Sequence, residues 1–418
     1  MKIQPDENTS HQVTVAMIGA RRHYAVPLTL NRLGMLEHFY TDAYAGKGWM
    51  NILSLIPRCC RSSSLARLLA RCCEVPPERI TSFNAFGFEY LRRLKKAKCR
   101  SESTAAYLWA GDKFNELILR SVREEISHLY AFQGAALGLF RSSQLKGTKC
   151  ILDMFSAPPQ NFNAILYEEN DLWPGWESWE QTQEAEDFSG KVALECKLAH
   201  VIVAPSQFVI DGLVGMGIQR TKCRLVPYGI DVTRFSPNQI NQSQNRRLRV
   251  LFVGRVSIMK GIQYLLRAAM ILKERVNVRI VGRVACNYDK LAAMTPGNVE
   301  FVGHVPRSVI QQHYHWADVF CLPSLSEGSA GVTYEALASG LPVICTPNTG
   351  SVVRDNVDGF VVSIRDSQVI VDRLEHLASN RKVLTEMSHN ARLRAENYSW
   401  TRYGDCLAGA VSTVASMT

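Results

Sequence analysis

The chain predicts an α/β protein of two Rossmann-like domains with parallel sheets, and three observations carry that expectation. Short apolar runs closed by Gly or Pro alternate with longer segments of helical spacing, the pattern of repeated βα units. At 418 residues the chain is long for a single core. A polar stretch, Ser236 to Asn245 (SPNQINQSQN), separates two groups of such units. The expected division is a first domain over 1–235, a linker over 236–246 and a second domain over 247–397.

Composition narrows the class. Apolar residues make up 46% and charged ones 21%, as in an ordinary globular protein. The formal charge of +10 calls for an anionic partner: nucleic acid, anionic lipid or a phosphorylated ligand. Nucleic acid drops out because the chain lacks a sheet motif of interleaved aromatic and basic residues. No apolar run reaches the roughly 18 residues of a membrane span. The polar, acidic start MKIQPDENTSHQ is unlike a secretory signal. Cys150, Cys286, Cys321 and Cys345 fall in or beside apolar runs, as reduced thiols of a cytoplasmic protein do. The adjacent pairs Cys59-Cys60 and Cys72-Cys73 lack zinc-ligand spacing, so no metal or other cofactor is expected.

In chain order, Val13 to Ile18 is a buried strand, Gly19 turns the chain, Ala25 to Leu36 is a helix and Glu37 to Thr41 a second strand. Segment 58–100 is basic and helical. Ser64 to Cys73 has helical spacing, and Arg92, Arg93, Lys95, Lys96, Lys98 and Arg100 crowd into nine residues. That cluster is a solvated face or an anionic membrane-surface element, which would hold the protein at the inner face of the membrane. His128 to Gly138 and Cys150 to Met154 form a further βαβ step. From Ile151 to Gly190 the chain carries no Lys or Arg, and Trp173, Trp176 and Trp179 stand among its acids. Their spacing fits one buried helix face, or rings stacked on a sugar; Pro174 and Gly175 place the helix start after them. Val201 to Pro205 is a strand, Ser206 caps a helix over Gln207 to Gly215, and Arg224 to Tyr228 closes the first domain.

The second domain opens with RLRVLFVGRVSIMKGIQYLLRAA, a strand, a loop and a helix burying Ile262, Leu265 and Leu266. Arg255 and Lys260 flank the loop as a candidate diphosphate clamp. Val278 to Gly282 and Val299 to Gly303 are strands. Val319 to Leu322 is another, closed by Pro323; loop 324–330 leads to a helix over Val332 to Ser339, ended by Gly340, and Val343 to Thr346 is the next strand.

Glu327 lies in that loop and Glu335 about one turn into the helix. Between them Gly328, Ser329, Ala330, Gly331 and Val332 leave the backbone open to a ligand. The helix N-terminus suits a diphosphate, whereas the carboxylates suit hydroxyls, as acceptors. A ligand with phosphate in its middle and polyols at both ends fits: a nucleotide sugar.

Glu327-x7-Glu335, within SEGSAGVTYEALASGLPV, resembles the signature of the retaining glycosyltransferases of family 4, also called glycosyl transferases group 1. The resemblance is close from Val201 to Leu407 and loose before it. It implies the GT-B fold, two Rossmann-like domains facing across a cleft, with the terminal helix (398–418) returning to the first. It implies a donor site in which Glu327 contacts the donor sugar, Glu335 the ribose, the small residues between them the sugar and diphosphate, and Arg255 and Lys260 the diphosphate. Gly19 would lie near the phosphates, and Arg283 and Val305 near the base. The chain departs from the family in two places: Gly19-Ala20-Arg21-Arg22 has one glycine where many members have two, and loop 155–160 has no histidine. Arg21, Arg22 and His23 are candidates to take over those roles.

The implied reaction moves a sugar from a nucleotide diphosphate to a hydroxyl of a sugar or lipid-linked acceptor, with retention. No DxD triplet occurs, and cations would replace the metal that such triplets hold. The alternatives are a non-catalytic nucleotide-sugar-binding subunit and a nucleotide-sugar epimerase of the same fold.

Overall fold

A computed structural model describes residues 12–47, 56–57, 61–123, 125–142, 147–237 and 246–415. Cys59-Cys60, the opening residues and all but the ends of the linker lie outside the described residues.

In the first domain, β1 (Val13–Met17), α1 (Ala25–Arg32), β2 (Leu36–Thr41), α2 (Ser63–Leu69), β3 (Ile80–Ser82), α3 (Asn84–Lys96) and α4 (Arg100–Ser121) are followed by β4 (His128–Phe132), α5 (Leu137–Arg141) and β5 (Lys149–Asp153). Then come α6 (Pro159–Leu172), α7 (Gln183–Leu198), β6 (Val201–Ala204), α8 (Gln207–Gly215) and β7 (Cys223–Leu225). The second domain runs β8 (Leu248–Val253), α9 (Ile262–Ile271), β9 (Val276–Val281), α10 (Tyr288–Ala293), β10 (Val299–Gly303), α11 (Ile310–Trp316), β11 (Val319–Leu322), α12 (Gly331–Ala338), β12 (Val343–Cys345) and β13 (Gly359–Val361). Three helices close the chain: α13 (Ser367–Ser379), α14 (Arg381–Glu396) and α15 (Trp400–Ala415).

Both sheets are parallel, in the orders β3-β2-β1-β4-β5-β6-β7 and β10-β9-β8-β11-β12-β13. Strands covered on both faces need continuous apolar runs, and β11 (VFCL) is buried throughout. The order reverses between β1 and β4 and again between β8 and β11, so each domain has a crevice at the carboxyl ends of those strands.

The terminal helix α15 packs on the first domain. Tyr403, Leu407, Val411 and Val414 of α15 share one core with Val13, Val15, Tyr130 and Val201. The other face of that sheet is filled by Phe114, Ile118, Val192 and Leu213 among others.

Several boundaries shift, each for a local reason. Helix α1 stops at Arg32 because Gly34 takes a left-handed φ of +72°, and β2 then begins at Leu36. Strand β7 ends at Leu225, short of Pro227, which has no N–H for a ladder. The tryptophan helix is a larger correction. Helix α6 ends at Leu172, Gly175 adopts φ +78°, and Trp173 to Trp179 form a loop. Trp173 and Trp176 are buried in the core of the second domain, with the Trp173 indole N–H donating to the Tyr264 hydroxyl at 3.1 Å. The first domain thus lends α6 and this loop to the second.

Candidate functional site

The site grows from the β8 and β11 ends. Gly261 takes a left-handed φ of +72°, and a Cβ there would lie 2.0 Å from the Pro323 carbonyl oxygen. Only glycine permits that approach, which sets the preceding Lys260 beside loop 324–330. The Lys260 ammonium forms an ion pair with Glu327, whose carboxylate also accepts from Ser324 Oγ at 3.1 Å. Burial, with Arg255 adding its charge, lowers the Lys260 pKa to about 8. Arg255 itself is exposed.

The small-residue loop divides its labour. The Ala330 amide donates to the Thr349 carbonyl at 3.1 Å, and Ser329 Oγ donates to the Gly350 carbonyl at 2.7 Å, so both hold the loop's shape. Gly331, exposed, and Val332, half-buried, open α12, where amides have no intrahelical partner. One turn on, the Glu335 carboxylate accepts from the hydroxyl of Tyr314 at 2.8 Å. Burial raises its pKa, while that hydrogen bond and the charges of Arg307 and Arg234 oppose the rise.

Gly328 touches the first domain. A Cβ there would sit 2.1 Å from the Phe155 carbonyl oxygen, and its own carbonyl accepts from Ser206 Oγ at 2.5 Å. Ser206 also caps α8, accepting from the Val209 amide at 3.3 Å, so one hydroxyl ends a helix and fastens two domains.

The loop after β1 is held in an unusual conformation. Arg22, His23 and Tyr24 have φ of 48°, 53° and 62°, a left-handed run that costs about 1–2 kcal/mol per residue. Arg22 is anchored on buried Asp153 at 2.9 Å and on the Tyr403 hydroxyl of α15 at 3.0 Å. His23 meets Arg307 of the second domain. The Gly19 amide donates to Asp42 Oδ1 at 3.0 Å, a carboxylate gripped by Arg71 at 2.6 Å. Arg21 stacks 3.5 Å from the Phe155 ring centroid, and burial lowers its pKa. Of the two arginines, Arg22 is spent on the fold and Arg21 faces a cavity of about 470 Å³.

The structure therefore brings Lys260, Glu327 and the Gly328 loop together, with Glu335 a turn away. It places Arg255 and Arg283 on the wall of a second cavity, of about 910 Å³, and packs Val305 against the second domain's core. Sequence reasoning missed Tyr314, Asp153 and Glu177. Asp153 left a signal, an acid at the end of the apolar strand CILD. Glu177 accepts from the Ile258 amide at 2.7 Å and from the Trp179 indole at 2.8 Å, tying the tryptophan loop to the clamp. Among the described residues no cluster of three or more His, Cys, Asp or Glu could hold a metal ion, and no helix is long and apolar enough to cross a membrane.

Comparison with known proteins bears on this arrangement. Residues 247–380 match the family model described as glycosyl transferases group 1. A D-inositol 3-phosphate glycosyltransferase of Geodermatophilus obscurus is 31% identical over 48% of this chain and 49% of its own. The amylovoran biosynthesis glycosyltransferase AmsK of Erwinia amylovora is 27% identical over 44% of this chain and 49% of its own. The chain thus spans about half the length of these curated relatives. Anabaena HepE, solved in complex with UDP and glucose, superposes with a TM-score of 0.60 at 14% identity, covering 96% of this chain and 100% of that one. Family match and architecture agree in this much: residues 247–380 match the glycosyl transferases group 1 family, and the chain as a whole has the GT-B fold.

Proposed function

We propose that the protein transfers a sugar from a nucleotide diphosphate sugar to an acceptor hydroxyl, with retention of anomeric configuration and without a metal ion, in polysaccharide or glycolipid biosynthesis. The observation that carries this reading is the pairing of Lys260 with Glu327 at the β8–β11 crevice, beside Arg255 and the start of α12. A cation and a carboxylate side by side suit the two halves of one donor, the diphosphate and the sugar hydroxyls.

The chemical demand is to stabilise charge on the departing diphosphate. Lys260, Arg255 and the amides of Gly331 and Val332 would supply it electrostatically. Glu335, one turn into α12, would hold the ribose. The leaving phosphate would take the acceptor proton. HepE, solved with UDP and glucose, makes UDP-glucose the first donor to try. AmsK, named for amylovoran biosynthesis, supports the polysaccharide reading. The basic stretch within 58–100 would hold the protein against an anionic cytoplasmic leaflet.

A panel of UDP-, GDP- and ADP-sugars, read by thermal stabilisation, tests the proposal with Glu335→Ala and Lys260→Ala beside the parent. One nucleotide sugar should raise the melting temperature, and both substitutions should remove the shift. Stabilisation of the parent by none of them would sink the donor assignment. Proton NMR of the product's anomeric centre then tests retention.

A further inference from the structure

The cavity of about 910 Å³ lies between the domains, against the proposed donor site. Its charged lining is Lys98, Arg100, Arg255 and Arg283, with no carboxylate among the lining residues. Nearby acids are already engaged: Glu102, outside the lining, accepts from the Lys98 amide at 2.6 Å. Glu168 and Glu169 bind Arg365, each at 2.8 Å, and Glu177 holds the Ile258 amide and the Trp179 indole.

Arg100 carries the argument. Its guanidinium lies 4.3 Å from the Trp179 ring centroid and 5.2 Å from that of Phe162, and donates to Asn163 Oδ1 at 2.8 Å. Its other terminal nitrogen is buried without a hydrogen-bond partner, and among the described residues no carboxylate pairs with it. A half-buried guanidinium on a cavity wall with no carboxylate partner suits a ligand that supplies an anion. Its planar fork matches the oxygens of a phosphate. The cavity shares Tyr107, Gln133, Ser156 and Phe188 with the neighbouring cavity of about 470 Å³, whose walls include Tyr90, Phe132 and Phe155. A cationic chamber therefore continues into an aromatic one.

We propose that this cavity is the acceptor site, that the acceptor carries a phosphate or diphosphate, and that Arg100 selects it. The inference rests on the transferase reading, because Arg255, shared with the proposed donor clamp, sets the cavity against the reacting diphosphate. The phosphate sits at Arg100 and Lys98, leaving a hydroxyl elsewhere on the acceptor to reach the donor sugar. The phosphate belongs to a lipid headgroup or to a free ester.

Calorimetry with inorganic diphosphate, with and without saturating UDP, GDP or ADP, tests it. Diphosphate should still bind when the nucleotide is bound. Arg100→Gln should weaken that binding by about tenfold or more, the range for a lost charged hydrogen bond, and leave nucleotide affinity within about twofold. Lys98 is exposed, so Lys98→Gln keeps the test alive should Arg100→Gln fail to fold, and about threefold weakening is expected there. Competition by phosphatidic acid vesicles, against phosphatidylcholine controls, would assign the phosphate to a lipid. Competition by glycerol 3-phosphate alone would assign it to a free ester. Displacement of diphosphate by the nucleotide, or equal binding by parent and variants, would overturn the proposal. Arg100-dependent binding of diphosphate by a protein that binds no nucleotide would remove the acceptor role and, separately, the transferase reading.

Discussion

Lys260 and Glu327, 67 positions apart in the chain, form an ion pair between the loop after β8 and the loop after β11. Under the proposed function each group has its own half of the donor to bind, so donor entry separates them. Glu327→Gln should free the lysine for phosphate. A nucleoside diphosphate without its sugar should then bind as tightly as before, or up to about tenfold tighter, while turnover of the nucleotide sugar falls by about a hundredfold. Calorimetry and a product assay on the same variant check this; weaker nucleoside diphosphate binding would show the carboxylate to be a structural support.

The same lysine sets a pH dependence. Its pKa is lowered to about 8 by burial and by Arg255, so it is cationic below that pH and neutral above it. A diphosphate binds the cationic form, and bound phosphate holds the proton more tightly. Donor affinity should therefore be level well below pH 8 and fall above it, with a slope approaching about tenfold per unit. Lys260→Arg should flatten the profile to at least about pH 9.5, since a guanidinium keeps its proton. Titration of UDP binding across this range in both proteins measures it.

Glu335 offers an acceptor at the opposite end of the proposed donor. Its carboxylate is supported by the fully buried Tyr314 hydroxyl at 2.8 Å. Glu335→Ala should weaken nucleoside diphosphate binding by about 10–100-fold, the cost of a charged hydrogen bond, and should erase any preference for ribose over a 2′,3′-dideoxy sugar. Tyr314→Phe, which only frees the carboxylate to move, should cost about threefold. Equal losses with ribose and dideoxyribose ligands would move Glu335 out of the sugar pocket.

The second domain was legible because its strands β11 (VFCL) and β12 (VIC) are unbroken apolar runs and the turns around them fall at Gly or Pro. The β11 strand, Val319–Leu322, matches its expected span residue for residue. The Lys260–Glu327 contact was not legible from spacing, because sheet order alone puts β8 beside β11. The tryptophan loop misled for a related reason. A period of three fits a helix face, but the partner that buries Trp173 is Tyr264, 91 positions on and in the other domain. Likewise Gly19 could be identified as a turn, whereas Asp42, which occupies its amide, lies 23 residues away across β1 and β2.

Arg365 and Glu169 fasten the lent helix α6 to the second domain. Glu169 is fully buried; its carboxylate accepts from Arg365 Nε at 2.8 Å, Gln263 Nε2 at 2.6 Å and the Tyr264 hydroxyl at 2.5 Å. Arg365→Ala would leave a buried anion with two neutral donors. Removing one partner of a buried pair costs about 3–5 kcal/mol, and the surviving donors should reduce this to about 2–3. The urea midpoint should fall accordingly with an unchanged slope. Adding Glu169→Gln in the same chain should restore more than half of the loss, because a neutral amide no longer needs the guanidinium. A double variant as unstable as the single one would place the cost in lost packing of the arginine stem over Ile165, whose carbonyl also accepts from Arg365 at 3.3 Å, and not in the orphaned charge.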